Sequence, residues 1–582
     1  MRVIRPVAIA WAVIAMMTVS NAQAPGDRPA PNAHATRSVV MARNGMIAAS
    51  QPLASAAGLR VLQEGGNAID AAITAAAVLA VVEPTMNGVG GDLFAIVHDA
   101  KNKTLRALNA SGRSAYGATP EVFAAHKLTR VPSTGVYSIS VPGVVDGWAT
   151  LLATYGTIPL SRALAPAIAY AKSGYAVSEI ISRQWMASEP KLAADPAAAS
   201  TFLPGGRAPR PGEIFTNPRL AATLEQIASG GRDAFYTGPI AAAIAADMRK
   251  RDALLDARDF AEHHSDWIEP ISTRYRGYDV YELPPNTQGF VALEMLNILE
   301  GYDLRSLGAN SAEYLHLLVE AKRIAFADRA GYLADADYVP PALLKTLISK
   351  EYAAGRRKEI NPAHAALEYK PGVINGRAPI TGDDAEAEAE GNLTGRDSGD
   401  TIYLTCADGK GNVISLIQSL FSDFGSGIVA GDTGIIFHNR GSLFTLTPGH
   451  PGRIGPHKRP MHTLVPAFVM KDAKPWLSFG VMGGDHQAQG HVQVLVNLID
   501  FGMNVQEAGE AARVNHGTDH GQIGLQLESA IGPAVRDALA RRGHTILPHG
   551  GFGGFQGILI DPATGVLMGG SDPRKDGLAI GY

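Results

Sequence analysis

The stretch from Thr401 to Leu420 constrains this chain more than any other. Thr401-Ile-Tyr-Leu-Thr-Cys-Ala407 alternates and is rich in β-formers, which predicts a strand. Asp408-Gly-Lys-Gly-Asn412 reads as a turn and Val413 to Leu420 as a second strand, so the two form a hairpin. With Gly409 to Gly411 as the turn, Asp408 faces Asn412 and Thr401 faces Ser419. Opposed residues in such a ladder have Cβ atoms roughly 4.5–5.5 Å apart, so this register sets a second hydroxyl beside Thr401. A slip of one residue would bring Gln418 or Leu420 there instead.

Residues 375–400, just upstream, change character. The run from Ile380 to Gly391 is acidic and poor in apolar residues, and it reads as a mobile, solvated tail. Further back lies an Ala-rich helical region. One helix runs from Leu53 to Glu64 and stops at Gly65-Gly66. A second starts at Asn67, with Asp70 three residues on as a capping pair, and ends at Glu83-Pro84. The glycines of Asn87-Gly-Val-Gly-Gly-Asp92 precede a strand (Leu93 to His98) rather than a helix. They therefore predict close backbone packing, not a phosphate cradle. A further strand covers Leu105 to Ala110. Residues 145–365 read as mostly helical, and two more helices fall near Gln489 to Asp500 and Val505 to Val514.

At 582 residues with 46 % hydrophobic and 18 % charged, the chain has the balance of a soluble globular protein. Its net charge of −4 gathers into no basic stripe, which argues against nucleic acid as a partner. Residues 1–22 read as a signal peptide cut after Ala22, with a basic start, a short apolar run and small residues; a membrane anchor is the alternative. The expectation is a periplasmic or secreted protein with no membrane attachment once the signal is removed, and a flexible leader over 23–37. The single cysteine, Cys406, cannot form an intrachain bridge and reads as a buried strand residue.

A hydroxyl needs a base beside it to act as a nucleophile. Cleavage between Asp400 and Thr401 would make the freed α-amine that base, since its pKa of roughly 7.7–8.0 leaves a useful neutral fraction near pH 7. Taken alone, a threonine that opens a strand is usually structural.

Further motifs add to this. Gly399-Asp400-Thr401, Phe424-Gly-Ser-Gly-Ile-Val-Ala-Gly431, Gly434-Ile-Ile-Phe-His-Asn439, Lys458-Arg-Pro460 and Gly483-Gly484 resemble, in order, the small-subunit motifs of γ-glutamyltransferases. Upstream, Gly65-Gly-Asn-Ala-Ile-Asp-Ala-Ala72, Gly90-Gly91 and Val141-Pro-Gly143 match the large subunit. The resemblance implies an α+β fold, the four-layer αββα sandwich of N-terminal-nucleophile (Ntn) hydrolases. It also implies self-cleavage into a large subunit (38–400) and a small catalytic subunit (401–582). The implied activity is hydrolysis or transfer of a γ-glutamyl-type acyl group, as from glutathione, to water or an amine, without cofactor or metal. Carried over by position, Thr401 is the nucleophile and Ser419 its supporting hydroxyl. Gly483 and Gly484 offer N–H groups to the oxyanion, helped by the helix expected near Gln489. Arg113 matches the arginine that grips the substrate carboxylate.

The chain also departs from that pattern. Where the family has an aspartate for the substrate α-amine, Leu443 stands. His462-Thr463 replaces a serine pair, Phe421 stands where an asparagine is usual, and the stretch Pro448 to Lys458 is too short for the usual lid. Arg440, His462 and Thr463 are therefore expected at the substrate, favouring a second carboxylate or a substrate without a free α-amine. An acylase acting on a dicarboxylate amide is the alternative within the same fold, and an exported binding protein that never cleaves is the alternative of another class. Histidines 450, 457, 462, 486 and 491 fit no familiar metal-ligand spacing. Ser188-Glu-Pro-Lys191 fits a Ser-x-x-Lys pattern, but Pro190 is expected to break the helix that pattern needs.

Overall fold

The computed structural model describes residues 35–376, 378–380, 399–519, 522–548, 550 and 552–582. The stretch expected to be a signal peptide, most of the expected leader and most of the acidic segment lie outside them.

The hairpin forms with the expected turn. Its strands are Gly399–Asp408 and Val413–Ser422, paired Ala407 with Val413 through Ile402 with Gln418. The turn is held by one carboxylate. Asp408 Oδ1 accepts from the Lys410 and Asn412 amides at 2.9 and 3.0 Å, and Oδ2 accepts from Asn412 Nδ2 and from the Ala68 amide. That last bond ties the turn to the helix Ala68–Val82, whose Asn67–Asp70 capping box forms as predicted.

Around this hairpin the described residues build two seven-stranded antiparallel sheets. The hairpin is the centre of one: Gly45–Ala49 flanks its first strand, Asp92–Asp99 its second, with Leu578–Gly581, Thr104–Asn109 and Asp266–Ile268 outside them. The other sheet is centred on Lys474–Val481. The sheets face each other across Phe94, Ile96, Tyr403, Ile417, Phe468 and Ile558. Helices cover both outer faces. Pro52–Gln63, Ala68–Val82 and Val144–Tyr155 pack on the first sheet, and Gly289–Leu299, His486–Ile499 and Val505–Glu510 on the second. The four layers run αββα. No helix among the described residues is long and apolar enough to cross a membrane.

The segment read as mostly helical is so, and it also holds short strands, of which Asp266–Ile268, Ile271–Tyr275 and Tyr278–Glu282 extend the two large sheets. Two helix boundaries need correction. The helix placed near Gln489 begins at His486, directly after the glycine pair. The next helix stops at Glu510, and Val514 opens a strand. Pro190 sits in the first turn of a short helix, Glu189–Ala193, where proline is tolerated, and the helix before it ends at Ala187, so no continuous helix carries Ser188 to Lys191. Cys406 is buried among apolar side chains, and burial raises its thiol well above the usual range.

Removing the Asp408 carboxylate strands two turn amides and one helix amide. Asp408→Ala should cost about 1–3 kcal/mol, read as a lower urea midpoint; an unchanged midpoint would show that the hairpin turn is held otherwise.

Candidate active site

The ladder is regular up to Ile402 and Gln418, then Asp400 pairs with Phe421. One residue, Thr401, therefore lies opposite two, Ser419 and Leu420: a β-bulge at the proposed nucleophile. Two backbone amides leave the ladder there. The Leu420 amide turns away to the Met86 carbonyl (2.9 Å), and the Phe421 amide is taken by Ser419 Oγ (2.7 Å). Phe421 takes a left-handed φ of 80°, which a bulky residue rarely adopts. Gly91 allows the close approach: a Cβ there would lie 2.5 Å from the Ser419 carbonyl oxygen.

Thr401 is buried, and its hydroxyl lies 3.2 Å from Ser419 Oγ. Ser419 Oγ also accepts from Arg440 Nη2 at 3.3 Å. Arg440 is wholly buried; it donates through Nη1 to Thr463 Oγ1 (2.9 Å) and stacks on the Phe421 ring at 4.4 Å. It forms no ion pair with any described carboxylate, and its Nε has no acceptor among the described residues. Burial pushes its guanidinium down to about 9, with Asp92 and Asp485 opposing through space.

His462 and Thr463 are equally buried. His462 Nε2 meets Asp92 Oδ2 at 3.0 Å, and its Nδ1 has no partner among the described residues. Burial lifts the Asp92 carboxyl to about 7 against the Gly112 amide and Arg440, and holds the His462 imidazole well below its usual range. His438, Nε2 3.7 Å from the same carboxylate, is pushed down to about 3 by burial, Arg440 adding to the effect. The pair is therefore a neutral ring beside a carboxyl poised near neutrality.

Arg113 stands in the loop after Thr104–Asn109, its Nη1 3.3 Å from Asp335 Oδ2 and 3.4 Å from the His457 carbonyl. Asp335 also accepts from the Arg459 amide, so the sequence Lys458-Arg-Pro460 is fixed beside it. Leu443 is buried in one apolar cluster with Phe421 and Met461. Gly483 and Gly484 turn with φ of 118° and 57°, and neither amide has an acceptor among the described residues. The helix His486–Ile499 starts immediately beyond them, so its N-terminal dipole lies nearer than the sequence suggested. The Asp400 side chain lies outside the described residues.

The five histidines raised for a metal find separate partners: the Ala330 carbonyl, the Tyr116 ring, Asp92, Asn515 and Glu282. A group that sequence reasoning missed is His316, Glu320 and His544, buried together. Their groups are already engaged, His316 Nδ1 with His544 Nε2 at 2.8 Å and Glu320 with Arg323, the Ala366 amide and Tyr369. Gln288 and Arg329, described below, were also missed, because no motif marks them.

Two antiparallel sheets between helix layers, with a threonine hydroxyl buried at the head of a central strand, define an Ntn-hydrolase fold. A family model described as Gamma-glutamyltranspeptidase matches residues 54–582, and the chain belongs to that family of hydrolases and acyltransferases. It is similar to the glutathione hydrolase-like YwrD proenzyme of Bacillus subtilis (strain 168), 38 % identical over 92 % of this chain and 98 % of that one. The Acylase ACY 1 proenzyme of Pseudomonas sp. (strain SE83) is 37 % identical over 92 % and 93 %. Among solved structures, cephalosporin acylase from Bacillus halodurans superposes with a TM-score of 0.85 at 40 % identity, covering 96 % of this chain and 99 % of that one.

Ser419→Ala would take one partner from Thr401, the Phe421 amide and buried Arg440 together. The loss should be about 1–3 kcal/mol, roughly 5- to 160-fold in turnover and in maturation. Parental rates in both assays would remove Ser419 from the machinery.

Proposed function

We propose that the chain cuts itself between Asp400 and Thr401 and then works as an acylase on mono-amides of dicarboxylic acids, glutaryl amides being the type. Thr401 Oγ attacks the amide carbonyl, and the freed α-amine of Thr401 takes its proton and passes it to the leaving amine. The Gly483 and Gly484 amides stabilise the oxyanion. Water, or an amine, then attacks the acyl-threonine and releases the acid or a new amide. Proenzyme relatives named for glutathione hydrolysis and for acylase activity fit both halves of this reading. An exported protein of this kind would act outside the cytoplasm.

The observation that carries the substrate choice is electrostatic. Arg113 supplies a planar fork for one carboxylate. At the place where the family holds an α-ammonium stands Leu443, buried with Phe421, whose ring carries the Arg440 guanidinium. An ammonium there would lose hydration without a charged partner and face a like charge, costing several kcal/mol. A glutaryl group differs from a γ-glutamyl group by lacking that amine.

Edman sequencing of the small fragment should read Thr-Ile-Tyr-Leu-Thr, and Thr401→Ala should leave the precursor whole while Thr401→Ser cuts slowly. Any other N-terminus would end the nucleophile assignment. On mature enzyme, kcat/KM for glutaryl p-nitroanilide should equal or exceed that for the γ-glutamyl compound, and Arg113→Ala should weaken both. A strong preference for the γ-glutamyl compound would return the protein to the glutathione-hydrolase reading.

A further inference from the structure

Two consecutive glycines with left-handed φ have no side chains to hold their turn, and glycine loses the most conformational freedom on ordering. Something outside the turn must fix it if its amides are to point at an oxyanion. The carbonyls are fixed instead. Gly483 O accepts from the His486 amide (3.0 Å), and Gly484 O accepts from the Gln487 amide (3.2 Å) and from Gln288 Nε2 (3.1 Å). The second Nε2 proton of Gln288 goes to the Thr463 carbonyl at 2.9 Å. Its Oε1 accepts from Arg329 Nη1 at 2.7 Å, and the same Nη1 reaches Asp485 Oδ1 at 2.5 Å. The Gln288 backbone amide holds the His462 carbonyl as well, at 3.0 Å. Both Gln288 and Arg329 are buried.

We infer that Gln288, oriented by Arg329, is a positioning residue for the oxyanion site: one side-chain amide locks the Gly483–Gly484 turn to the Thr463 backbone. The amide cannot flip. Arg329 has only donors, so it demands Oε1, and the two carbonyls demand Nε2. Gln288 caps the helix Gly289–Leu299 and Arg329 lies on Ala312–Tyr332, so the lock comes from the chain before Thr401 and acts on the chain after it. The inference rests on Gly483 and Gly484 facing the oxyanion, and it is independent of which acyl group is preferred. A lock of this kind matters when charge develops on the oxygen, so it acts on the transition state more than on bound substrate.

The test uses the mature enzyme and whichever p-nitroanilide the parent hydrolyses, with Gln288→Met, which keeps length and loses every side-chain hydrogen bond, and Arg329→Lys, which keeps the charge and loses the fork. Each variant is first checked for parental secondary structure and a Thr401 N-terminus. The expected result is a fall in kcat of about ten-fold or more for Gln288→Met, a smaller fall for Arg329→Lys, and KM within about two-fold of the parent. Inhibition by a small alkylboronic acid, whose tetrahedral adduct on Thr401 Oγ places an oxygen at the same amides, should weaken by the factor lost from kcat/KM. Raised KM with parental kcat, or parental boronate inhibition in a slowed variant, would overturn the positioning role. A parent that does not begin at Thr401 would instead overturn the reading beneath it. If Gln288→Met does not mature, the same comparison on Arg329→Lys decides.

Discussion

The contact between the Thr401 and Ser419 hydroxyls organises much of what surrounds it. A regular ladder would have carried both strands past this point, and the bulge interrupts it so that one residue faces two. That needs a second acceptor for the Leu420 amide, found at the Met86 carbonyl, and a side-chain acceptor for Phe421, found in Ser419 itself. It also needs a glycine at 91, because the Ser419 carbonyl presses where any Cβ would be. These requirements link a loop, a strand start and a hairpin that lie far apart in sequence. The result is a buried threonine hydroxyl with a fixed partner, in a setting too tight to accommodate rearrangement cheaply.

The charges around this contact are arranged at a cost. A guanidinium taken wholly out of water without a carboxylate at contact distance is unfavourable. Among the described residues the Arg440 guanidinium meets hydroxyls and an aromatic face, while Asp92, which opposes it through space, is itself drawn toward the neutral form by burial. Better-packed apolar residues would make a more stable core. That an unspent cation sits against Ser419 instead is the kind of local inconsistency that marks a working site rather than a structural one. Its field would favour anions over cations beside the Thr401 hydroxyl.

The sequence made the hairpin readable because two independent signals agreed, the alternation of Thr401 to Ala407 and the Asp-Gly-Lys-Gly-Asn turn. The bulge was not readable, since it is caused by Met86 and Gly91 arriving from another segment. The strands Asp266–Ile268, Ile271–Tyr275 and Tyr278–Glu282 escaped for a similar reason. They are only three to five residues long, follow a helical stretch, and owe their state to the sheet edges they complete. Helix His486–Ile499 begins earlier than expected because the tight glycine turn feeds straight into it through Asp485. Arg113 was identifiable only through family resemblance, and its pairing with Asp335 came from a residue more than two hundred positions away. Gln288 and Arg329 carry no motif, and their significance exists only in three dimensions.

The topology also explains how a chain can be cut at its most sensitive point and remain one molecule. The strand after the proposed cut is flanked by Gly45–Ala49, and its hairpin partner by Asp92–Asp99, so both edges of the central hairpin are hydrogen-bonded to chain that precedes residue 400. In the facing sheet, Ala467–Lys471 pairs with Tyr278–Glu282 in the same way. Breaking the bond before Thr401 leaves these ladders intact, because the first strand pairs with Gly45–Ala49 from Leu404 onward. The site itself is divided in the same manner, with Asp92, Arg113 and Gln288 before the cut and Ser419, Arg440, Thr463 and the glycine turn after it. Neither part holds a complete constellation, and neither completes its own sheets. A cut at this position therefore frees an amine beside a hydroxyl while the packing that fixes both groups is shared across the two fragments.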